Sequence, residues 1–234
     1  EEKVKIGVLT GGGDCPGLNA VIRAIVRKSI NNNLQVVGIK NGWKGLLECD
    51  IEQLTINSVT GILHKGGTIL GTSRTNPYKN QEDVKKVKDN FKKLNLDALI
   101  AIGGEDTLGA AYKLTQDGLG NIIGVPKTID NDLSATDYTF GFDTAINIVT
   151  ECLDRLHTTA ESHHRIMVVE VMGRHAGWIA TEAGIAGGAD MILIPEIPID
   201  LEEIQKALLK RKERGRTFSI IVVAEGANFK KEDL

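Results

Sequence analysis

Apolar positions along this chain fall into two alternating kinds of stretch. Short apolar runs at Val4 to Leu9, Leu34 to Ile39, Ala98 to Ile102, Ile122 to Val125, Ile166 to Val171, Met191 to Ile194 and Phe218 to Ala224 have the length and branched composition of buried strands. Between them apolar residues recur at helical spacing: Leu18, Ile22, Ile25 and Val26; Val84, Val87, Phe91 and Leu94; Leu108 to Leu114; Ala145, Ile146, Val149, Leu153 and Leu156; Leu201, Ile204 and Leu208. Strand then helix, repeated, predicts an α/β fold whose mostly parallel sheets are covered on both faces. Ligands then belong at the carboxyl ends of the strands.

The polar positions sharpen the boundaries. Asp200-Leu201-Glu202-Glu203 is a capping box in its aspartate form, and Gly215 lies beyond the last turn of the helix it opens. The lysines around Val84 to Leu94 read as a solvated outer face. The long periodic stretch from Asp143 to Ala160 can carry the chain into a second lobe, which divides it at 1–140 and 141–234. No internal repeat, low-complexity tract or linker interrupts the pattern.

Composition narrows the class. With 234 residues and 41% apolar content the chain can bury one large or two modest cores. A formal charge of -3 and 4% aromatic residues argue against a nucleic-acid platform, which wants a basic stripe interleaved with stacking rings. No apolar run approaches the ~18 residues of a membrane span, so no membrane partner is expected. The three cysteines, Cys15, Cys49 and Cys152, form an odd set without CxxC spacing, so neither a disulfide framework nor a zinc site is expected. A reducing, cytoplasmic setting follows. The sequence has no initiator Met and closes on Lys230-Lys231-Glu232-Asp233-Leu234 just after a strand, which reads as a fragment of a longer protein.

The segments after the strands carry the candidate chemistry. Thr10-Gly11-Gly12-Gly13-Asp14 lies between a strand and a helix and reads either as a structural turn or as an anion site, since exposed N–H groups and the helix dipole there favour an anion. Glycines at 11, 13 and 17 miss the dinucleotide fingerprint, since Pro16 stands where its third Gly belongs. Gly61 to Thr68 misses a Walker A loop, with Gly67 in place of the Lys. Asn41 to Gly45 is a turn-rich segment that brings Trp43 near the same sheet edge, as a packed anchor or as a ligand contact. Gly66 to Arg74 reads as a flexible, hydroxyl-rich loop whose Arg74 is either solvated or bidentate to a phosphate. His163 and His164 are consecutive, so they read as a polar helix end and not as a metal pair.

Carboxylates then cluster. Gly103-Gly104-Glu105-Asp106-Thr107 and Pro126-Lys127-Thr128-Ile129-Asp130-Asn131-Asp132 each follow a buried strand. Any one Asp here could be a turn former or a helix cap; two on one short loop beside others on the neighbouring loop point to a site. Carboxylates, Lys and Arg among glycine loops suit phosphoryl transfer, in which a metal needs oxygen ligands and the oxyanions need cations.

Four segments, Thr10 to Asn19, Gly103 to Thr107, Pro126 to Asp132 and Met172-Gly173-Arg174-His175-Ala176-Gly177, resemble the motifs of 6-phosphofructokinases in order and spacing, over essentially the whole chain. The resemblance implies two doubly wound, mostly parallel-sheet lobes with the active site in the cleft between them. The first lobe would bind the phosphoryl donor and the second, incomplete here, the sugar phosphate. The implied reaction is phosphoryl transfer to O1 of fructose 6-phosphate, giving fructose 1,6-bisphosphate, in glycolysis and gluconeogenesis. Where the ATP-using members commonly have Gly, this chain has Asp106 and Lys127, a pair similar to that of the pyrophosphate-dependent members. The swap has a physical reason. An aspartate fills space and adds negative charge where the α-phosphate of ATP would lie, and a lysine supplies a cation for compact pyrophosphate. The resemblance therefore implies a reversible pyrophosphate-dependent enzyme. The alternatives are an ATP-dependent 6-phosphofructokinase, and a non-catalytic phosphate- or nucleotide-binding regulatory subunit, against which the retained Asp130 speaks. Sedoheptulose 7-phosphate is a further candidate acceptor.

The same resemblance assigns roles. Asp130 is implied as the general base for the sugar 1-hydroxyl, with Thr128 and Asp132 in support and Lys127 and Arg174 in the catalytic set. Gly13, Arg74, Gly104, Asp106, Thr107 and Lys127 would bind the donor. Glu105, where the family often has Asp, and Asp106 would hold Mg²⁺ directly or through water. Thr128, Asp130, Asp132, Arg165, Met172, Gly173, Arg174 and Glu225 match the sugar-phosphate positions. Arg165 is expected to act across a subunit boundary, which implies a homo-oligomer, a dimer or tetramer. A downstream family segment, with a further Arg and His for the sugar 6-phosphate, is not in this sequence.

Overall fold

The computed structural model describes residues 3–229, so the run Lys230 to Leu234 lies outside the described residues. The chain divides into two compact units, Glu1–Thr128 and Ile129–Leu234. This division falls ahead of the expected boundary at 140. The segment after Thr128 is fastened within its own unit, where Asn131 Oδ1 accepts the Thr139 N–H and Asn131 Nδ2 donates to Asp137 O.

The first unit holds strands β1 (Lys5–Thr10), β2 (Gln35–Ile39), β3 (Ile51–Leu54), β4 (Ala98–Gly103) and β5 (Asn121–Thr128), laid out in the order β3-β2-β1-β4-β5. β1, β2, β4 and β5 are parallel, and β3 runs antiparallel to β2 with Val36 opposite Leu54. β3 has no counterpart among the expected strands, because its four residues include two polar ones. The link from β2 is too short for a crossover, so the chain can only return antiparallel.

That link contains helix α2 (Trp43–Glu48) where a turn was expected. Trp43 is 1% exposed in the core cluster with Leu9, Leu46 and Phe91. Burying a side chain of this size is worth about 3 kcal/mol. Trp43 is therefore a core anchor and not a ligand contact. Helix α1 (Leu18–Asn31) buries Leu18, Ile22 and Val26. Helix α3 (Gln81–Lys93) buries Val87 and Phe91, and the Asn80 side chain caps it by accepting the Glu82 N–H.

Helix α4 (Glu105–Gln116) begins three residues ahead of its first expected apolar position, Leu108. Two presumed loops are therefore partly regular structure. Glu105 to Thr107 form the first turn of α4, where acidic side chains complement the helix dipole. Lys127 and Thr128 lie on β5, whose pairing with β4 continues as far as Pro126 opposite Gly103.

The second unit contains β6 (Phe140–Gly141), α5 (Phe142–His163), β7 (Ile166–Val171), α6 (Trp178–Ala186), β8 (Met191–Leu193), α7 (Leu201–Glu213) and β9 (Ser219–Ala224). Strands β7, β9 and β8 form a parallel sheet in that order. Its core brings Phe142, Leu153, Ile179 and Ala180 against Val171, Ile220, Val222 and Ala224. The mostly apolar and small residues of α6 form no polar face, so periodicity does not mark this helix in the sequence. Asp200 caps α7 by accepting the N–H groups of Glu202 and Glu203, as the aspartate box predicts. His163 is the last residue of α5 and His164 caps it in the left-handed conformation, φ 54°, the expected polar helix end. Cys15, Cys49 and Cys152 are free thiols. Among the described residues no helix is long and apolar enough to cross a membrane.

Candidate active site

In the first unit the parallel strands β1, β4 and β5 end on one side, which assembles residues far apart in sequence. The glycine loop after β1 is fixed at every step. The Gly11 N–H donates to Ile102 O at 2.9 Å and the Gly12 N–H to Ser73 O at 3.1 Å. Thr72 Oγ1 donates to Gly12 O at 2.6 Å. Lys127, 5% exposed, donates from Nζ to Gly13 O at 2.5 Å. A buried ammonium group is thus built into the glycine loop.

Thr107 supports the loop from behind. It is 4% exposed, and a Cβ on Gly11 or Gly103 would stand 2.5 or 2.4 Å from its side chain. Only glycines let the ends of β1 and β4 close on this threonine. Gly104, the residue before α4, supplies the carbonyl that accepts the Leu108 N–H. The loop from Gly66 to Arg74 is pinned where flexibility was expected. Asn19 Oδ1 accepts the Ile69 N–H, Thr10 Oγ1 donates to Gly71 O, and Ser73 Oγ donates to Asn41 O. Arg74 ends it exposed.

Glu105 and Asp106 are both exposed on the first turn of α4. Neighbouring helical side chains diverge, so the two cannot close on one point as a rigid cage. The described residues hold no group of three or more His, Cys, Asp or Glu suited to a metal. A hydrated Mg²⁺ asks for less: one or two carboxylates, several waters and the substrate's own phosphates. The donor set fits that mode.

In the second unit Asp130, 8% exposed, follows shortly after the end of β5 in sequence. Arg174 Nε stands 3.8 Å from Asp130 Oδ2. Arg174 is held there by its backbone. Gly173 and Arg174 have φ of 145° and 53°, a turn that aims both N–H groups at Glu225 Oε1, at 3.0 and 2.7 Å. Gly226 makes the approach possible, since a Cβ there would lie 2.0 Å from Arg174 O. Glu225, expected to face a sugar phosphate, is thus also the anchor of the loop that carries Arg174.

The other expected residues are placed as follows. Thr128 ends β5, while Asp132 and Met172 are exposed near Asp130 and Gly173 in sequence. Arg165 joins α5 to β7, its N–H donating to Ala160 O and its carbonyl accepting the Ser219 N–H, with the side chain exposed. Three residues enter that sequence reasoning passed over. Thr72 holds Gly12 O, Asn131 clamps the loop after Asp130 through Thr139 and Asp137, and Glu196 Oε1 accepts the Gly177 N–H at 2.8 Å. Only Asn131 carried a local signal, since Asn tolerates the left-handed conformation, here φ 52°, while bonding its own loop.

Comparison with known proteins places the chain in a family. A family model described as Phosphofructokinase matches residues 5–234. A pyrophosphate--fructose 6-phosphate 1-phosphotransferase of Amycolatopsis methanolica is 61% identical over 225 residues, covering 96% of this chain and 65% of that protein. An ATP-dependent 6-phosphofructokinase 2 of Clostridium perfringens is 57% identical, covering 95% of this chain and 64% of that protein. The solved structure of Pichia pastoris phosphofructokinase in the T-state matches all of this chain and 28% of that one, with 34% identity and a TM-score of 0.91. The chain spans about 65% of the length of such curated relatives.

Proposed function

The chain belongs to the phosphofructokinase family, and on that premise we propose that it transfers a phosphoryl group reversibly from pyrophosphate to O1 of fructose 6-phosphate. The observation that carries this reading is the buried Lys127 ammonium on Gly13 O, a cation embedded in the anion-binding loop. A compact, highly charged donor gains most from such a cation. The Asp106 carboxylate on the first turn of α4 adds negative charge that disfavours a third phosphate and a nucleoside.

In this reading the loop at Gly13, with Arg74 and Lys127, holds the donor phosphates, and Gly104 and Thr107 shape the loop. Asp130 takes the proton of the sugar 1-hydroxyl as that oxygen attacks the terminal phosphorus. The new O–P bond forms as the bridging O–P bond breaks, and orthophosphate leaves. Thr128 and Asp132 support the base. Arg174 stands beside it with an exposed positive charge, suited to an oxyanion of either substrate. Glu105 and Asp106 would hold Mg²⁺, directly or through water, and a bound ion would neutralise charge on the donor phosphates. Met172, Gly173 and Glu225 present the sugar-phosphate side. The exposed Arg165 is suited to reach a neighbouring subunit of a dimer or tetramer, and the free thiols suit the cytoplasm.

A second reading, ATP as donor, is favoured by the 57% identity to the Clostridium perfringens relative. The deciding experiment assays the full-length protein with each donor and fructose 6-phosphate, beside an Asp130→Ala control. A higher kcat/KM with pyrophosphate is expected. A higher value with ATP reverses the donor assignment, and turnover no greater than the control with either donor makes the chain a non-catalytic binding subunit.

A further inference from the structure

The glycine loop is shaped by two consecutive carbonyl contacts, and the planar peptide turns them into a statement about where its N–H groups point. In a trans peptide the C=O of one residue and the N–H of the next lie in one plane and point in opposite directions. Thr72 Oγ1 holds Gly12 O at 2.6 Å, which fixes the direction of the Gly13 N–H. Lys127 Nζ holds Gly13 O at 2.5 Å, which fixes that of the Asp14 N–H. A Cβ placed on Gly13 would meet nothing within 4 Å, so the space beside the Gly13 Cα is open. The Gly11 and Gly12 N–H groups, by contrast, are already bound to Ile102 O and Ser73 O.

Thr72 is itself held on both sides. The preceding carbonyl, Gly71 O, accepts Thr10 Oγ1 at 2.8 Å, and the following Ser73 donates from Oγ to Asn41 O at 2.6 Å. Its hydroxyl therefore sits on a rigid support rather than on a mobile loop tip.

We infer that Thr72 is a positioning residue for the phosphoryl donor: its hydroxyl, acting on Gly12 O, aims the Gly13 N–H at the donor phosphate without touching the donor itself. This rests on the donor-binding role proposed above for the loop. Removing the hydroxyl lets the Gly12–Gly13 peptide rotate, so the N–H must be reoriented each time a phosphate binds.

The test compares Thr72→Val with Thr72→Ser in the full-length protein, by calorimetric titration with pyrophosphate, and separately with ATP, in the presence of Mg²⁺. Thr72→Val is expected to weaken donor binding and raise the donor KM by roughly tenfold, the effect of about one well-formed hydrogen bond. The KM for fructose 6-phosphate should not move, and Thr72→Ser should restore the donor affinity. A merely structural role would lower the melting temperature and leave that split absent. Wild-type affinity in Thr72→Val overturns the inference, and so does equal weakening in both variants. Should the wild type bind ATP and not pyrophosphate, the donor assignment fails while the same two variants still decide the role of Thr72. Binding of neither donor by the wild type overturns both.

Discussion

Arg174 Nε lies 3.8 Å from Asp130 Oδ2, and the two side chains differ sharply in exposure, 68% for Arg174 against 11% for Asp130. The separation is long for an ion pair and one partner is in water, so the pair contributes little to stability. Its importance is local: a nearly buried carboxylate has an exposed cation, Arg174, beside it.

Asp130→Ala should lower kcat by about 10² to 10⁴, the range for loss of a general base, with a small change in donor KM. Arg174→Leu should lower kcat/KM for fructose 6-phosphate by ~10² and leave the melting temperature nearly unchanged. Steady-state kinetics alongside thermal denaturation checks both. An Asp130→Ala protein with near-normal kcat would remove this residue from the mechanism.

Glu225 reaches the same site through Arg174. Replacing it by Ala frees the Gly173 and Arg174 N–H groups that its Oε1 now accepts. The left-handed turn at Arg174 then loses its anchor. The KM for fructose 6-phosphate should rise by about tenfold or more, with Glu225→Gln intermediate because its amide oxygen still accepts but lacks the charge. The donor KM should stay constant, and a donor effect as large as the sugar effect would contradict the anchoring role.

Asp106→Gly removes a carboxylate from the first turn of α4. ATP use should increase relative to pyrophosphate use, by about tenfold in the ratio of the two kcat/KM values if one charge repulsion of ~1.4 kcal/mol is relieved, because loss of a Mg²⁺ ligand bears on both donors. Stability should fall by ~1 kcal/mol, since Gly is a poor helix former and the dipole loses a favourable charge. An unchanged ratio would dissociate Asp106 from donor choice.

Away from the site, Tyr78 OH donates to Asp117 Oδ2 at 2.7 Å, and Lys113 Nζ lies 5.3 Å from the centre of the Tyr78 ring. Burial first, then the Asp117 carboxylate, push the Tyr78 phenol well above its usual range. The folded state thus favours the neutral phenol, so this stabilisation is complete below the unfolded value near 10 and is lost as pH rises beyond it. Tyr78→Phe should lose ~1 kcal/mol in urea denaturation at pH 7, with the difference from wild type narrowing above pH ~10, and activity should not change.

What the sequence determined by itself is local. The strand Ile166–Val171, the α7 cap at Asp200 and the alternation of strand and helix were legible because they rest on neighbouring residues. Even so, local signals misplaced the end of β5, because pairing with β4 carries it on into a polar segment, and the start of α4, because its first turn is acidic and not apolar. β3, α2 and α6 were hidden for similar reasons, a polar edge strand and two short helices without a clean period. Motif resemblance supplied Asp130, Lys127 and Arg174 as candidates, but not what each one touches. Tertiary structure alone decided that Lys127 meets Gly13, 114 residues away, that Thr72 holds the next carbonyl along, and that Glu225 anchors Arg174. The physical reason is that parallel strands bring their carboxyl ends together regardless of sequence distance, and hydrogen bonds formed there leave no periodic trace in the chain.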